Sequence, residues 1–193
     1  MKKGEWKERL KPYDNALRFV VVLLLGNALW KLMFRGDESG YMVTCCGWDV
    51  TRFFTEMSCH VAAVSAHILG WFIDGVRLLY GRLITFPNGN GISIVWGCTA
   101  VKQAALFVLI MLFARGPWKH KLWFVPLSLC LIYLFNLFRI VMIALLVMNH
   151  PDWFDLLHSY IFKYLFYAFL FLIWVIWAEC FAEKKNCLVK SYK

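Results

Sequence analysis

The sequence predicts an all-α polytopic membrane protein with about four transmembrane helices, an interfacial or re-entrant helix and a short extracytoplasmic hairpin. Of its 193 residues, 61% are hydrophobic, and the mean hydropathy is +0.60. These values lie far above those of ordinary soluble domains. Several stretches also approach or exceed the roughly 18 to 20 apolar residues that cross a bilayer. No polar stretch is long enough for a soluble domain, so residues 1–193 are interpreted as a single membrane-embedded domain.

The first apolar segment, residues 17–34, is predicted to be a transmembrane helix. Basic residues are concentrated before it, between Lys2 and Arg18, which favours a cytoplasmic N-terminus under the positive-inside rule. No small-residue cleavage site follows the segment, so it is interpreted as a retained anchor rather than a signal peptide. The net charge of +9 comes from such short clusters beside apolar runs, and this distribution argues against nucleic-acid binding.

The second apolar segment, residues 56–73, allows two interpretations because it carries Glu56 and His60 among its apolar residues. If it spans the membrane, the basic loop at residues 115–121 and the basic C-terminal tail both face outward, against the positive-inside rule. If it lies at the outer surface as an interfacial or re-entrant helix, both basic elements face the cytoplasm. We expect the second arrangement, with both termini cytoplasmic and the protein in the cytoplasmic (inner) membrane.

Two β-favouring runs, residues 82–86 and 92–96, flank the turn-forming sequence Pro-Asn-Gly-Asn-Gly at residues 87–91. They predict a short extracytoplasmic hairpin that leads the chain directly to Cys98. An extended peptide can add to the edge of such a hairpin as another strand, so the hairpin is also a candidate substrate-binding element.

The second half of the chain contains three further predicted transmembrane segments, which run inward, outward and inward at residues 99–114, 122–148 and 159–182. A helix rises about 1.5 Å per residue, so Arg139 lies roughly 25 Å from the inner end of its segment, in the outer leaflet of a core about 30 Å thick. Cys98 and His158 each precede an inward segment. The topology therefore places a thiol, a guanidinium and an imidazole at a similar depth, whereas periodicity does not determine their lateral distances.

This combination of side chains suits acyl transfer. A helix N-terminus and nearby cations stabilise a thiolate, and Arg139 and Lys102 are candidate cations for Cys98. His158 is the candidate base that takes the thiol proton and then protonates the leaving amine, with Asp155 one turn earlier to orient it. Arg139 is alternatively a candidate for stabilising the tetrahedral oxyanion. Each residue also has a structural interpretation, as a packing cysteine, a buried counter-charge or a capping histidine.

No cofactor or metal is expected, because a thiol mechanism needs none and the seven cysteines form no C-x-x-C pair. Cys45, Cys46 and Cys59 are candidates for disulfides if the outer face is oxidising. The neighbours Cys45 and Cys46 would pair less readily with each other than with other cysteines, because of the strained geometry.

Two short sequences carry a family resemblance: Ile-Val-Trp-Gly-Cys-Thr-Ala at residues 94–100 and Asn-Leu-Phe-Arg-Ile-Val at residues 136–141. Together with His158 at the head of the last helix, they resemble the exosortase/archaeosortase family over residues 85–178. The chain is similar to a compact bacterial member, of the Bacteroidetes type. Many members follow the cysteine with a small residue and then glycine, whereas Thr99 and Ala100 follow here.

The resemblance implies a membrane cysteine transpeptidase or protease. Such enzymes recognise exported proteins that carry a C-terminal motif, a transmembrane helix and a basic cluster, cleave them at the outer face and pass them to an acceptor. The resemblance assigns Cys98 as nucleophile and Arg139 and His158 as its partners, and we take Lys102, Asn136 and Asp155 as supporting residues. The expected partners are these substrates and membrane lipid. The alternative is a non-catalytic membrane partner in surface-polysaccharide or envelope assembly, and a transporter is a third possibility.

Overall fold

The computed structural model of the protein describes residues 14–36 and 42–182. The described chain is mainly helical, with two small sheets between helices. The described residues form five α-helices: α1 (Asp14–Met33), α2 (Thr51–Leu69), α3 (Val101–Phe113), α4 (Trp118–Asn149) and α5 (Phe162–Trp177). Their apolar composition explains helix formation in a bilayer, where every backbone polar group must be paired within the protein.

Three helical stretches are long and apolar enough to cross a membrane: Asn15–Met33, Trp118–Asn149 and Pro151–Phe181. The prediction of a polytopic α-helical membrane protein is therefore confirmed. The predicted segment 99–114 forms only the 13-residue helix α3, which rises about 20 Å. It is shorter than expected because residues 96–100 turn before the helix begins, and because Gly116 and Pro117 follow its end.

The segment predicted at residues 56–73 is the amphipathic helix α2, which begins earlier, at Thr51. Its buried residues recur at helical spacing along one face and are Phe54, Ser58, Val61, Ala62, Ser65 and Leu69. This helix is not among the three stretches that are long and apolar enough to span. A single apolar face is what an interfacial helix requires.

The predicted hairpin is present and belongs to a three-stranded antiparallel sheet. The sheet contains β4 (Arg77–Leu79), β5 (Leu83–Thr85) and β6 (Gly91–Ser93), in that order. A second sheet, which the sequence analysis missed, contains β1 (Phe34–Gly36), β2 (Val43–Cys45) and β3 (Trp48–Asp49). Strands of two or three residues are too short to produce a recognisable alternation of apolar and polar residues.

The β4–β6 sheet is fixed to the end of α4. The side-chain amide of Asn90 donates a hydrogen bond of 2.9 Å to the carbonyl of Met148, and Asn88 donates to the same carbonyl. Ile84 and Ile92 of the sheet are buried in one cluster with residues of α2 and α4. This anchoring holds the chain that leaves β6 against α4, where the candidate site lies.

Candidate active site

Cys98 lies in a turn between β6 and α3 rather than in the helix itself. It ends a 3-10 turn, Trp96–Cys98, in which its backbone N–H donates to the carbonyl of Val95 at 2.9 Å. Ala100 follows in the left-handed conformation, with φ 58° and ψ 8°, so α3 begins at Val101. Cys98 is 8% exposed. The turn therefore presents the thiol beside the N-terminus of α3, and the helix begins two residues later than the predicted segment 99–114.

The left-handed conformation of Ala100 predicts an asymmetric response to substitution. Glycine adopts positive φ without strain, but a β-branched side chain does so at high energy. We expect Ala100→Gly to change the free energy of unfolding by no more than about 1 kcal/mol, because relief of strain offsets the lost buried methyl group. Ala100→Val should lower it by about 2 kcal/mol or more. Thermal unfolding in detergent measures both, with Ala105→Val as the matched control on the exposed face of α3. Equal effects of the two valine variants would contradict the prediction.

Asn136 of α4 holds the backbone of this turn. Its side chain is fully buried, and Nδ2 donates a hydrogen bond of 2.8 Å to the carbonyl oxygen of Cys98. That carbonyl lies in the turn before α3, where a backbone acceptor needs a partner from elsewhere. The structure therefore gives Asn136 a positioning contact with the cysteine, which the sequence motif alone did not reveal.

Arg139 lies one helical turn beyond Asn136 on the same face of α4. The side chain is 6% exposed, and Nη2 donates to the carbonyl oxygen of His158 at 3.4 Å. Its Nε is buried and has no hydrogen-bond partner. Arg139 thus connects α4 to the segment that carries the imidazole, and it places a positive charge beside the buried thiol.

His158 faces Cys98 directly. The distance from Nε2 to Sγ is 3.8 Å, within reach of a hydrogen bond that involves sulfur. His158 lies inside a π-helical turn, Leu156–Ile161, that runs into α5, so it precedes α5 on a turn that is itself helical. The wider turn of a π-helix is frequent at functional sites.

An aromatic ring packs against the imidazole of His158. The rings of Phe154 and His158 stack with their centroids 5.1 Å apart and an interplanar angle of 6°. Asp155 lies next to Phe154 in the chain, and its side chain is exposed. The orientation of His158 by Asp155 stays a prediction.

A cavity of about 380 Å³ opens beside these residues. Gly97, Arg139 and His158 line it, and its volume falls in the range of small-molecule sites, about 300 to 1,000 Å³. Lys102 also lines the cavity, so the supporting cation predicted from the sequence lies next to the site. The aromatic wall is formed by Trp30, Phe34, Phe54, Trp96 and Tyr167. Sequence reasoning missed the contribution of α1, because nothing in residues 17–34 indicates which helices they contact.

The remaining cysteines of the described chain do not contribute a second site. Cys45, Cys46 and Cys59 are free thiols, as are Cys130 and Cys180. Within residues 14–36 and 42–182, no group of three or more His, Cys, Asp or Glu side chains is arranged to hold a metal ion. Cys187 lies outside the described residues.

Comparison with known proteins supports the resemblance that the motifs carry. The sequence model of the transmembrane exosortase family matches residues 15–176, which include the first helix as well as all three candidate site residues. No curated protein and no solved structure matches the chain. The match extends well beyond residues 85–178, where the motifs lie, and covers most of the chain. The chain belongs to the transmembrane exosortase family.

Proposed function

We propose that the protein is a membrane cysteine transpeptidase or protease that cleaves the C-terminal sorting signals of exported proteins and transfers the products to an acceptor. The observation that carries the proposal is the 3.8 Å approach of His158 Nε2 to Cys98 Sγ, with Arg139 bound to the backbone of the same histidine. Membership of the family supports the same activity. The proposed substrates carry a short motif, one transmembrane helix and a basic cluster.

The first chemical step is proton transfer from the Cys98 thiol to His158 Nε2. The thiolate attacks the carbonyl carbon of the scissile peptide bond, and the carbonyl oxygen takes the negative charge of the tetrahedral intermediate. The guanidinium of Arg139 stabilises the thiolate and this oxyanion by its charge. No further cation or metal is needed for this step.

In the second step the intermediate collapses. The carbon–nitrogen bond breaks, and His158 returns its proton to the departing amine, which leaves with the C-terminal helix and basic cluster. A thioester on Cys98 remains. An acceptor amine or hydroxyl, or water, then attacks the thioester and restores the thiol with the help of His158. The acceptor decides between transfer and hydrolysis.

The proposed location is the cytoplasmic membrane, with both termini in the cytoplasm and the site on the extracytoplasmic side. The distribution of basic residues supports this orientation, because they are concentrated before α1, at residues 115–121 where α3 gives way to α4, and in the C-terminal tail. Cys98, His158 and the C-terminal end of α1 lie at the opposite ends of their helices from these clusters. Substrate motifs on exported proteins would reach the site at that face.

The test is co-expression with an exported protein that carries such a C-terminal signal, followed by mass spectrometry of the product. We expect a shortened chain whose new C-terminus lies beside the motif, either free or joined to an acceptor. A substrate that keeps its C-terminal helix, with the enzyme folded in the same membrane, would contradict the proposal. It would move support to a non-catalytic role in envelope assembly.

The sheet suggests how the motif is held. β6 is an edge strand, and it leads through Val95 into the Cys98 turn. The backbone N–H of Phe86 donates to the carbonyl of Asn90, and the N–H of Ile94 donates to the carbonyl of Arg82. Because the N–H groups of an antiparallel strand point alternately towards and away from its partner, the N–H of Ser93 points away from β5. An extended substrate that adds as a further strand would accept from this N–H.

Ser93→Pro tests this arrangement, because proline removes the outward N–H without removing a donor to β5. We expect roughly a tenfold loss of substrate processing, whereas Ser93→Ala, which keeps the N–H, should process normally. The readout is the fraction of substrate shortened in a time course, with thermal unfolding as a check on the fold. Undiminished processing by Ser93→Pro would exclude strand addition at β6.

A further inference from the structure

The cavity beside Cys98 carries more positive charge than the proposed cleavage chemistry uses. The cavity is lined by Lys31 of α1, Lys102 of α3 and Lys163 of α5, together with Arg139 of α4. No Asp or Glu occurs among the described residues of its wall. Four helices, α1, α3, α4 and α5, thus each direct one basic side chain towards the same space.

The three lysines repel one another electrostatically and are not neutralised by carboxylates. The charges of Lys31 and Lys163 both act on Lys102, which is half-buried. Within residues 14–36 and 42–182, none of the three lysines forms a salt bridge with Asp or Glu, unlike Arg52, which pairs with Glu56. Like charges grouped beside an apolar wall are unfavourable unless an anion neutralises them. The cavity is therefore arranged for an anionic ligand.

A second observation points to a ligand with oxygen acceptors. Arg139 is more than nine-tenths buried and lines the cavity, and its Nε donor has no partner. The indole N–H of Trp96, another residue of the wall, is also buried without a partner. A phosphate group offers several acceptor oxygens and no competing donor, and it matches arginine and lysine well.

The surroundings of the cavity favour a lipid as the source of that phosphate. α1 is mostly exposed on the protein surface, with 11% of its membrane-spanning window buried. Lys31 and Lys163 are exposed at the cavity's edge, beside the aromatic rings of Trp30 and Phe34. Lysines near helix ends extend to the level of lipid head groups, and basic pockets between membrane helices bind anionic head groups. An anionic lipid is favoured over a zwitterionic one, because the cationic part of a zwitterionic head group would be repelled.

We propose that this cavity binds the phosphate of an anionic phospholipid, held by Lys31, Lys102 and Lys163 beside the catalytic residues. The bound head group neutralises the lysines and forms one wall of the space that a substrate enters. The site goes beyond the proposed cleavage reaction, and its occupation does not require that cleavage takes place.

The test uses the purified full-length protein in a neutral detergent and measures thermal unfolding and ligand retention by native mass spectrometry. The probes are short-chain phosphatidylglycerol, short-chain phosphatidylcholine, inorganic phosphate and a short acidic peptide. We expect phosphatidylglycerol to raise the unfolding temperature and to remain bound. The double variant Lys31→Gln/Lys163→Gln should bind it roughly tenfold more weakly or worse. The control Arg77→Gln/Lys119→Gln changes two exposed basic residues outside the cavity and should bind normally.

Two further variants separate the outcomes. Lys31→Arg/Lys163→Arg keeps the charge and should retain the lipid, so a loss of binding in the glutamine variant alone is not a folding defect. Cys98→Ala should bind the lipid as the wild type does, so this experiment tests the lipid site separately from the proposed cleavage. Equal binding by the wild type and the glutamine variant would overturn the proposal. If only inorganic phosphate stabilises the protein, the ligand is a free phosphate and not a lipid. If only the acidic peptide stabilises it, the ligand is not a phosphate group.

Discussion

Replacing Cys98 with alanine is expected to abolish substrate processing, by on the order of a thousandfold or more. The proposed mechanism has no other nucleophile, since the bond from Sγ to the substrate carbonyl is its covalent step. Alanine removes the sulfur but leaves the turn, because Asn136 binds the backbone carbonyl at this position and not the thiol. The fold should therefore persist while activity is lost. The measurement is the amount of shortened substrate after co-expression, with the membrane level of the enzyme determined in parallel.

Cys130→Ala is the matched control for this experiment. Cys130 lies on α4, is a free thiol and is exposed, so it is away from the cavity. This variant should process substrate at the wild-type rate. Processing retained by Cys98→Ala would refute the nucleophile and favour the role of an assembly partner. Loss of processing in both variants would instead show that cysteine substitution disturbs the protein generally.

Replacing His158 with glutamine is expected to lower processing by about a hundredfold to ten-thousandfold, the usual contribution of a general acid and base. A second readout distinguishes proton transfer from a packing effect. Because the thiolate is the reactive form, alkylation of Cys98 by iodoacetamide should slow in the same variant. Phe154→Leu, which removes the ring stacked on the imidazole, should have a smaller effect because Nε2 remains.

Asp155→Asn is the control on the neighbouring residue. Asp155 is exposed, whereas the ring stacked on the imidazole is that of Phe154, so we expect this variant to process and alkylate normally. Normal alkylation of Cys98 in His158→Gln would contradict the role of His158 as the base. A strong defect in Asp155→Asn would instead support a role of this carboxylate in orienting His158.

The depth of the three candidate residues could be derived from the sequence, but their association could not. Helical rise and the distribution of charges placed Cys98, Arg139 and His158 near one end of the bundle. Their lateral approach depends on how α4 packs against the turn before α3 and the π-helical turn before α5, and no single-sequence periodicity encodes such packing. The stack of Phe154 on His158 depends on the same local geometry.

The cavity and the small sheets were also beyond sequence reasoning, for different reasons. Lys31, Lys102 and Lys163 each stand alone in an apolar segment, where a lysine is usually explained by extension to the interface. Only the convergence of three helices makes them one group. The short strands β1–β3 depend on long-range pairing, such as that between Arg35 and Thr44, that local composition does not indicate. The hairpin of β5 and β6 was predictable because its turn residues are strongly specific.

The short helix α3 has a consequence for the lipid around the site. A rise of about 20 Å is roughly 10 Å less than a hydrocarbon core of about 30 Å, so the predicted inward span of α3 has a hydrophobic mismatch with an undisturbed bilayer. A bilayer adapts to a short helix by thinning beside it. Where the bilayer thins at the end of α3 next to Cys98, the boundary between water and hydrocarbon moves towards the thiol, while α1 and α4 still cross the full hydrocarbon core. Water and a polar acceptor would then reach the proposed thioester on Cys98 below the head groups of the surrounding membrane.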